Sequence, residues 1–188
     1  METAIRIAIY IHAFFGGIGL ISGTLSLVTK KGSKIHKKSG KWFVIGMLVS
    51  LGLSLPIASM PGHYSPFLFL IGLFTIYMVL VGKRVLRFKL KTAQVTKADW
   101  AITITMTILS LMMILSGVLN VFGNKILFIF FGIISLVLCF QDFRFWRNPR
   151  KSKTGWLAQH IGKITGAYIA SVTAFLVGGM KVQGLMVW

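Results

Sequence analysis

The chain has 188 residues, 55% of them hydrophobic, with a formal net charge of +18 and a mean hydropathy of +0.80. A soluble domain of this size cannot bury so much apolar surface, so the composition points to lipid as the solvent and excludes nucleic acid as the reason for the positive charge. Glu2, Asp99 and Asp142 are the only acidic residues, too few for the carboxylate pairs of acid/base hydrolysis or the oxygen cages of calcium and magnesium, and the single Cys139 excludes an internal disulfide and a cysteine metal cluster.

The first apolar segment covers 7–29. Its core is too long for a signal peptide, Glu2 weakens the basic start and no clear A-x-A site follows, so a retained helix is expected. It carries His12, with Gly16, Gly19 and Gly23 following on the same helical face. A basic stretch, 30–41, leads to the second segment, 42–60, and the turn from Pro61 to Pro66 contains His63 and Tyr64. The third segment, 66–82, ends at a second basic stretch, 83–97. The fourth, 100–121, turns at Gly123-Asn124 into the fifth, 126–141, where Cys139 reads as a small buried hydrophobe. A third basic stretch, 144–153, overlaps Phe143-Arg144-Phe145-Trp146-Arg147, which reads as a loop lying against lipid headgroups. The sixth segment, 158–180, opens with His160 and Lys163 and repeats Gly162, Gly166, Ala170 and Ala174 every four residues.

Seventeen of the 21 Lys and Arg residues fall in those three stretches. Basic and non-basic connections alternate, which puts the basic ones in the cytoplasm. The expected fold is all-α: one polytopic transmembrane bundle of six helices spanning 1–188, with both termini extracytoplasmic. Trp42, Trp100 and Trp156 would anchor the inner interface, and Tyr10, Tyr64 and Trp188 the outer one. The small-residue stripes favour close helix approach and make helices one and six the candidates for the centre. None of the acidic residues falls inside an apolar segment, so the intramembrane carboxylate of many proton-coupled transporters is not expected.

Histidine is then the main candidate for chemistry. His12 lies inside a span on the glycine face, where an ionisable side chain is a functional hypothesis, set against a neutral imidazole bonded to a carbonyl or hydroxyl. His160 stands beside a snorkelling Lys163, His36 among loop lysines, and His63 in the outer turn. At 1.5 Å per residue His12 and His160 are roughly 22 Å apart in depth, too far to share one metal ion. The plausible pairs are His36 with His160 on the inner side and His12 with His63 outside. Such pairs would suit haems on opposite sides, and Met60 and Met180 lie at the depth of the outer pair, where histidine and methionine could hold copper. Lys163, with Lys37 and Lys38, could receive an anion or a lipid headgroup. His36-Lys-Lys-Ser-Gly40 and His160-Ile-Gly-Lys-Ile-Thr-Gly166 both lead into outward-running helices, a weak sign of duplication.

Ile11-His12 with Gly19 and Gly23, the run from Lys31-Gly32 through His36-Lys37-Lys38-Ser39-Gly40 to Trp42, and Trp156-x-x-x-His160 followed by Gly166-Ala167-Tyr168 resemble a family of bacterial predicted inner-membrane proteins of unassigned function. The resemblance covers the two ends of the chain and little of the middle. It implies an inner-membrane helical protein, gives weight to His12, His36 and His160, and supplies no reaction. Lys37 stands where the family has arginine, which would matter for a bidentate phosphate contact. Three functions remain open: a haem- or metal-binding redox protein, a small transporter or lipid- and anion-handling protein, and a non-catalytic assembly factor. The first needs a cofactor, the second the bilayer and its anionic headgroups, the third a membrane protein partner or a second copy of the chain. A hydrolase ranks below them, because no base-plus-carboxylate constellation accompanies the serines and threonines.

Overall fold

The computed structural model describes the backbone of residues 2–182 and the side chains of 3–176. Trp188 and the side chain of Met180 lie outside the described residues. Six α-helices follow one another: α1 Glu2–Val28, α2 Lys34–Ser59, α3 Pro66–Arg84, α4 Lys97–Val118, α5 Lys125–Arg147 and α6 Gly155–Val182. A short 3₁₀ helix, Val85–Lys89, continues α3. The first five helices are long and apolar enough to cross a membrane. Their outer faces expose Ile21, Leu111, Ile126 and Phe140, as helices facing hydrocarbon do.

Local chemistry sets the helix ends. Gly32 turns the chain at a φ of +80°, where a side chain would be strained, and Ser33 then caps α2 by accepting from the backbone N–H of His36 at 3.1 Å. Ser65 caps α3 ahead of Pro66 in the same way, accepting from Leu68 N–H at 3.3 Å. At the start of α4, Asp99 reaches back to accept from the Thr96 backbone N–H at 2.8 Å, and its other oxygen takes the Arg84 guanidinium at 2.7 Å. Arg87 pairs with the same carboxylate.

The helices run further than the apolar segments. Lys34–Lys41 forms the first turns of α2, and 142–147 the last turns of α5. Lysine and arginine are good helix formers whose charged ends reach outward, so a hydropathy boundary stops short of the helix boundary. Two expectations change. Asp142 is inside α5 and fully buried, so a carboxylate does lie within an apolar helix. The aromatic-basic stretch is helix rather than loop, and Phe145 and Trp146 are core residues packed against Phe88. The Trp146 indole N–H donates to Thr103 Oγ1 at 2.9 Å.

Among the first five helices the most buried is α3, and α1 is not central. Of the apolar window of each helix, 44% is buried in α3 and 6% in α1. Phe74, Tyr77, Met78, Val79 and Val81 of α3 supply much of the core. The glycines of α1 serve a narrower purpose. A Cβ on Gly46 of α2 would stand 2.8 Å from Phe15 O and 2.9 Å from Gly19 N, so α1 and α2 meet backbone to backbone. Gly23 accommodates Phe43 and Tyr168, and Tyr168 reaches Thr24 Oγ1 at 2.6 Å. In α6 the residues buried most deeply are Lys163 and Ala167; Gly166 rests on Met78, while Gly162 has open space around it. A buried Ser110–Ser135 hydrogen bond of 2.5 Å ties α4 to α5.

The basic connections meet at one end. Arg150, between α5 and α6, bonds the carbonyls of Lys91 and Ala93 between α3 and α4. His36 returns to α1 at Ser26 and interacts electrostatically with His160, as does Lys83.

Candidate functional site

At that basic end two opposite charges are shut inside the bundle. Asp142 of α5 is 0% exposed and Lys163 of α6 is 1% exposed. Lys163 Nζ stands 2.8 Å from Asp142 Oδ1. From α3, the Tyr77 hydroxyl donates to Asp142 Oδ2 at 2.5 Å. Lys163 also donates to Gln159 Oε1 at 3.0 Å and lies 5.6 Å from the Tyr77 ring centroid. Cys139, one turn earlier on α5, is buried beside Tyr77.

Removing two charges from water is costly, and their attraction offsets the cost only when each is fully hydrogen-bonded. Here the match is incomplete: Asp142 Oδ2 has Tyr77, whereas Oδ1 faces Lys163 as an ion pair with no aligned hydrogen-bond donor. Replacing a buried ion pair by hydrophobic residues of similar volume is often neutral or stabilising, so stability is a weak reason for Asp142 and Lys163 to be here. Ionisable residues within apolar helices otherwise mark ion, proton or substrate sites.

Lys163 of the pair lines a cleft of about 510 Å³ between the end of α5 and the start of α6, whereas Asp142 does not. Buried Lys163 and Phe145 line it with half-buried Leu138; Gly162, Arg144, Asn148, Lys151 and Ser152 line it as exposed residues. Gln159 and Gln141 also line it, and the Gln159 amide donates weakly to the Gln141 carbonyl at 3.4 Å. The cleft therefore offers two exposed cations, Arg144 and Lys151, a third, Lys163, held by Asp142, several neutral polar groups and an apolar strip. It can neutralise an anion while burying hydrocarbon.

His12, His36 and His160 differ in depth but bond alike. The His12 ring places Nδ1 2.8 Å from Ser50 O, His36 places it 3.0 Å from Ser26 O, and His160 2.7 Å from Gly82 O. A neutral ring donating from Nδ1 to a carbonyl keeps its lone pair on Nε2, the tautomer suited to ligating a metal or haem iron. Those same bonds also tie neighbouring helices together. His36 and His160 are near enough to interact electrostatically. His12 faces Ser50 on α2, and His63 is exposed in the turn between α2 and α3. Among the described residues no three His, Cys, Asp or Glu side chains converge as a metal-ligand set. Lys37 and Lys38 are exposed on the first turn of α2 and are not part of the cleft wall.

Sequence reasoning found Lys163 and missed Asp142, Tyr77, Arg144 and Gln159. A signal was present for Asp142: Cys139, Asp142, Phe145 and Trp146 share a helical face, a period that runs past the end of the apolar segment. Tyr77 had none, because any aromatic residue in a long apolar run reads as core. No family model matches the chain, and no curated protein or solved structure matches it.

Proposed function

We propose that this is a six-span protein of the bacterial inner membrane that binds the phosphate headgroup of an anionic phospholipid in the α5–α6 cleft. The basic end faces the cytoplasm and both termini face outward. The observation that carries this reading is a buried lysine, Lys163, at the wall of a cleft that exposed Arg144 and Lys151 also line. Arginine supplies a planar, bidentate grip on a phosphate, and the lysines supply point charge. Leu138 and Phe145 extend the site into an apolar strip, which favours a lipid over a free anion. The positive charge of the other inner connections is accounted for by orientation and headgroup attraction, at about 1 kcal/mol per residue.

Thermal unfolding of the purified protein separates the sources of the phosphate. Phosphatidylglycerol should raise Tm by about 5 °C over phosphatidylcholine, the shift expected for a ligand present well above its Kd. Arg144→Gln with Lys151→Gln should remove most of that rise. An equal rise with inorganic phosphate would make the ligand a free anion, and no difference between the two lipids would end the lipid reading.

The common Nδ1–carbonyl bonding supports a second reading, a haem or metal ion held by Nε2 of His36 and His160, with His12 belonging to a separate outer site. Protein purified without Soret absorbance and without stoichiometric metal would remove it.

A further inference from the structure

We infer that the bound headgroup replaces Asp142 as the partner of Lys163, and that Asp142 takes up one proton as this happens. The inference rests on the headgroup-binding reading above. In the resting structure the Lys163 ammonium is shared between Asp142 Oδ1 and Gln159 Oε1, and it does not reach the surface. An anion in the cleft can gain Lys163 only if that arrangement opens. Gln159 is weakly held there: its amide donates to the Gln141 carbonyl at a long 3.4 Å, while its Oε1 accepts from Lys163 at 3.0 Å.

Once Lys163 turns to the phosphate, Asp142 would be a carboxylate in an apolar interior without a cation. Burial of such a lone charge is resolved by neutralisation. The groups around it leave protonation as the available route. Tyr77 of α3 contributes a hydroxyl and no charge. Cys139 on its own helix contributes a neutral thiol. From α4, Asp99 adds negative charge at longer range and is already held by Arg84 and Arg87. On α6 the facing groups are Lys163 and Gln159. Asp142 Oδ1, the oxygen without an aligned donor, is the atom that would carry the proton, and Tyr77 can go on donating to Oδ2.

The charge balance is closed. One phosphodiester anion enters, one proton enters from the aqueous side of the cleft, and the net charge of the site is unchanged. No bond other than O–H is made. Occupancy by an anionic headgroup is thereby linked to pH: lower pH favours the loaded state and higher pH the resting ion pair.

Calorimetric titration with short-chain phosphatidylglycerol tests this. Its phosphodiester does not titrate near neutrality, so any proton uptake belongs to the protein. The full-length protein in an uncharged detergent would be titrated in phosphate-free buffers of different ionisation enthalpy. Expected is a binding heat that varies with buffer by an amount equal to about one proton per ligand. Binding with no buffer dependence would overturn the proton linkage while leaving headgroup binding intact. Absence of binding would overturn both. Asp142→Asn should bind the ligand with no buffer dependence, and continued uptake of one proton in that variant would exclude Asp142 as the acceptor. Should Asp142→Asn fail to fold with Lys163 unpaired, Asp142→Asn with Lys163→Gln leaves a neutral pair. That variant should bind at least tenfold more weakly, with no proton uptake.

Discussion

Asp99 and Asp142 both have fully buried carboxylates, and the difference between them lies in what surrounds each. Asp99 has a backbone N–H, a hydroxyl and two arginines whose side chains remain about 30% exposed. Its partners reach water, so its loss strands no charge. Asp99→Asn should cost about 2 kcal/mol, from a weakened cap and weakened charge-assisted bonds, measured by thermal unfolding. Asp142 has one partner that cannot reach water. Lys163→Met should therefore cost more, about 3–5 kcal/mol, because it leaves a carboxylate buried alone. Combining Asp142→Asn with Lys163→Gln should recover most of that loss in the same measurement. If Lys163→Met proved as mild as a surface change, the pair would be solvated and the enclosed site described above would not exist. Lys163 was legible in the sequence as a charge near the start of an apolar segment. Asp142 was not, because it lies one residue beyond a segment judged by hydropathy alone.

Among the elements, the helix hairpin α1–α2 brings backbone against backbone at Gly19 and Gly46. The atoms that a Cβ on Gly46 would meet are backbone and cannot swing away. Gly46→Ala should lower stability by about 1–3 kcal/mol, as overpacking does. Gly52 on the same helix has nothing within 4 Å, and Gly52→Ala should be neutral or stabilising by up to about 1 kcal/mol. Thermal unfolding of the two variants side by side checks this, and equal effects would contradict the packing. The number and order of helices were legible because the apolar runs are long and separated by turn residues. Their ends were not, since Lys34–Lys41 and Arg144–Arg147 are helical and charged together. The choice of central helix was also hidden. Glycines mark where backbones come close, here the α1–α2 seam and, at Gly117 and Gly132, the α4–α5 seam, while the depth of α3 comes largely from its aromatic and β-branched residues.

At the level of the whole molecule, the charge rhythm of the sequence reappears as geometry, with the basic connections joined at one end by Arg150 and by the His36–His160 neighbourhood. The same end holds the cleft. A cytoplasmic orientation predicts the labelling of single cysteines placed in a Cys139→Ser background. In intact cells Tyr64→Cys should react with a membrane-impermeant maleimide, and Lys37→Cys should react only after the membrane is opened. The reverse pattern would invert the topology and place the cleft outside. The histidines were the most legible candidates in the sequence, yet the rings of His12, His36 and His160 are engaged with helix carbonyls, whereas the enclosed ion pair required knowledge of which helix faces meet.

Headgroup binding in the cleft is the central claim, and its location can be read directly by photo-crosslinking. A benzophenone side chain at Gly162, which lines the cleft and has open space around it, should capture radiolabelled phosphatidylglycerol. The same side chain at Leu111, exposed on α4, serves as the lipid-facing control. Expected is an adduct at position 162 that exceeds the control severalfold, is competed by unlabelled phosphatidylglycerol but not by phosphatidylcholine, and falls to the control level with Arg144→Gln and Lys151→Gln. Equal capture at positions 162 and 111, competed equally by both lipids, would contradict a headgroup site between α5 and α6.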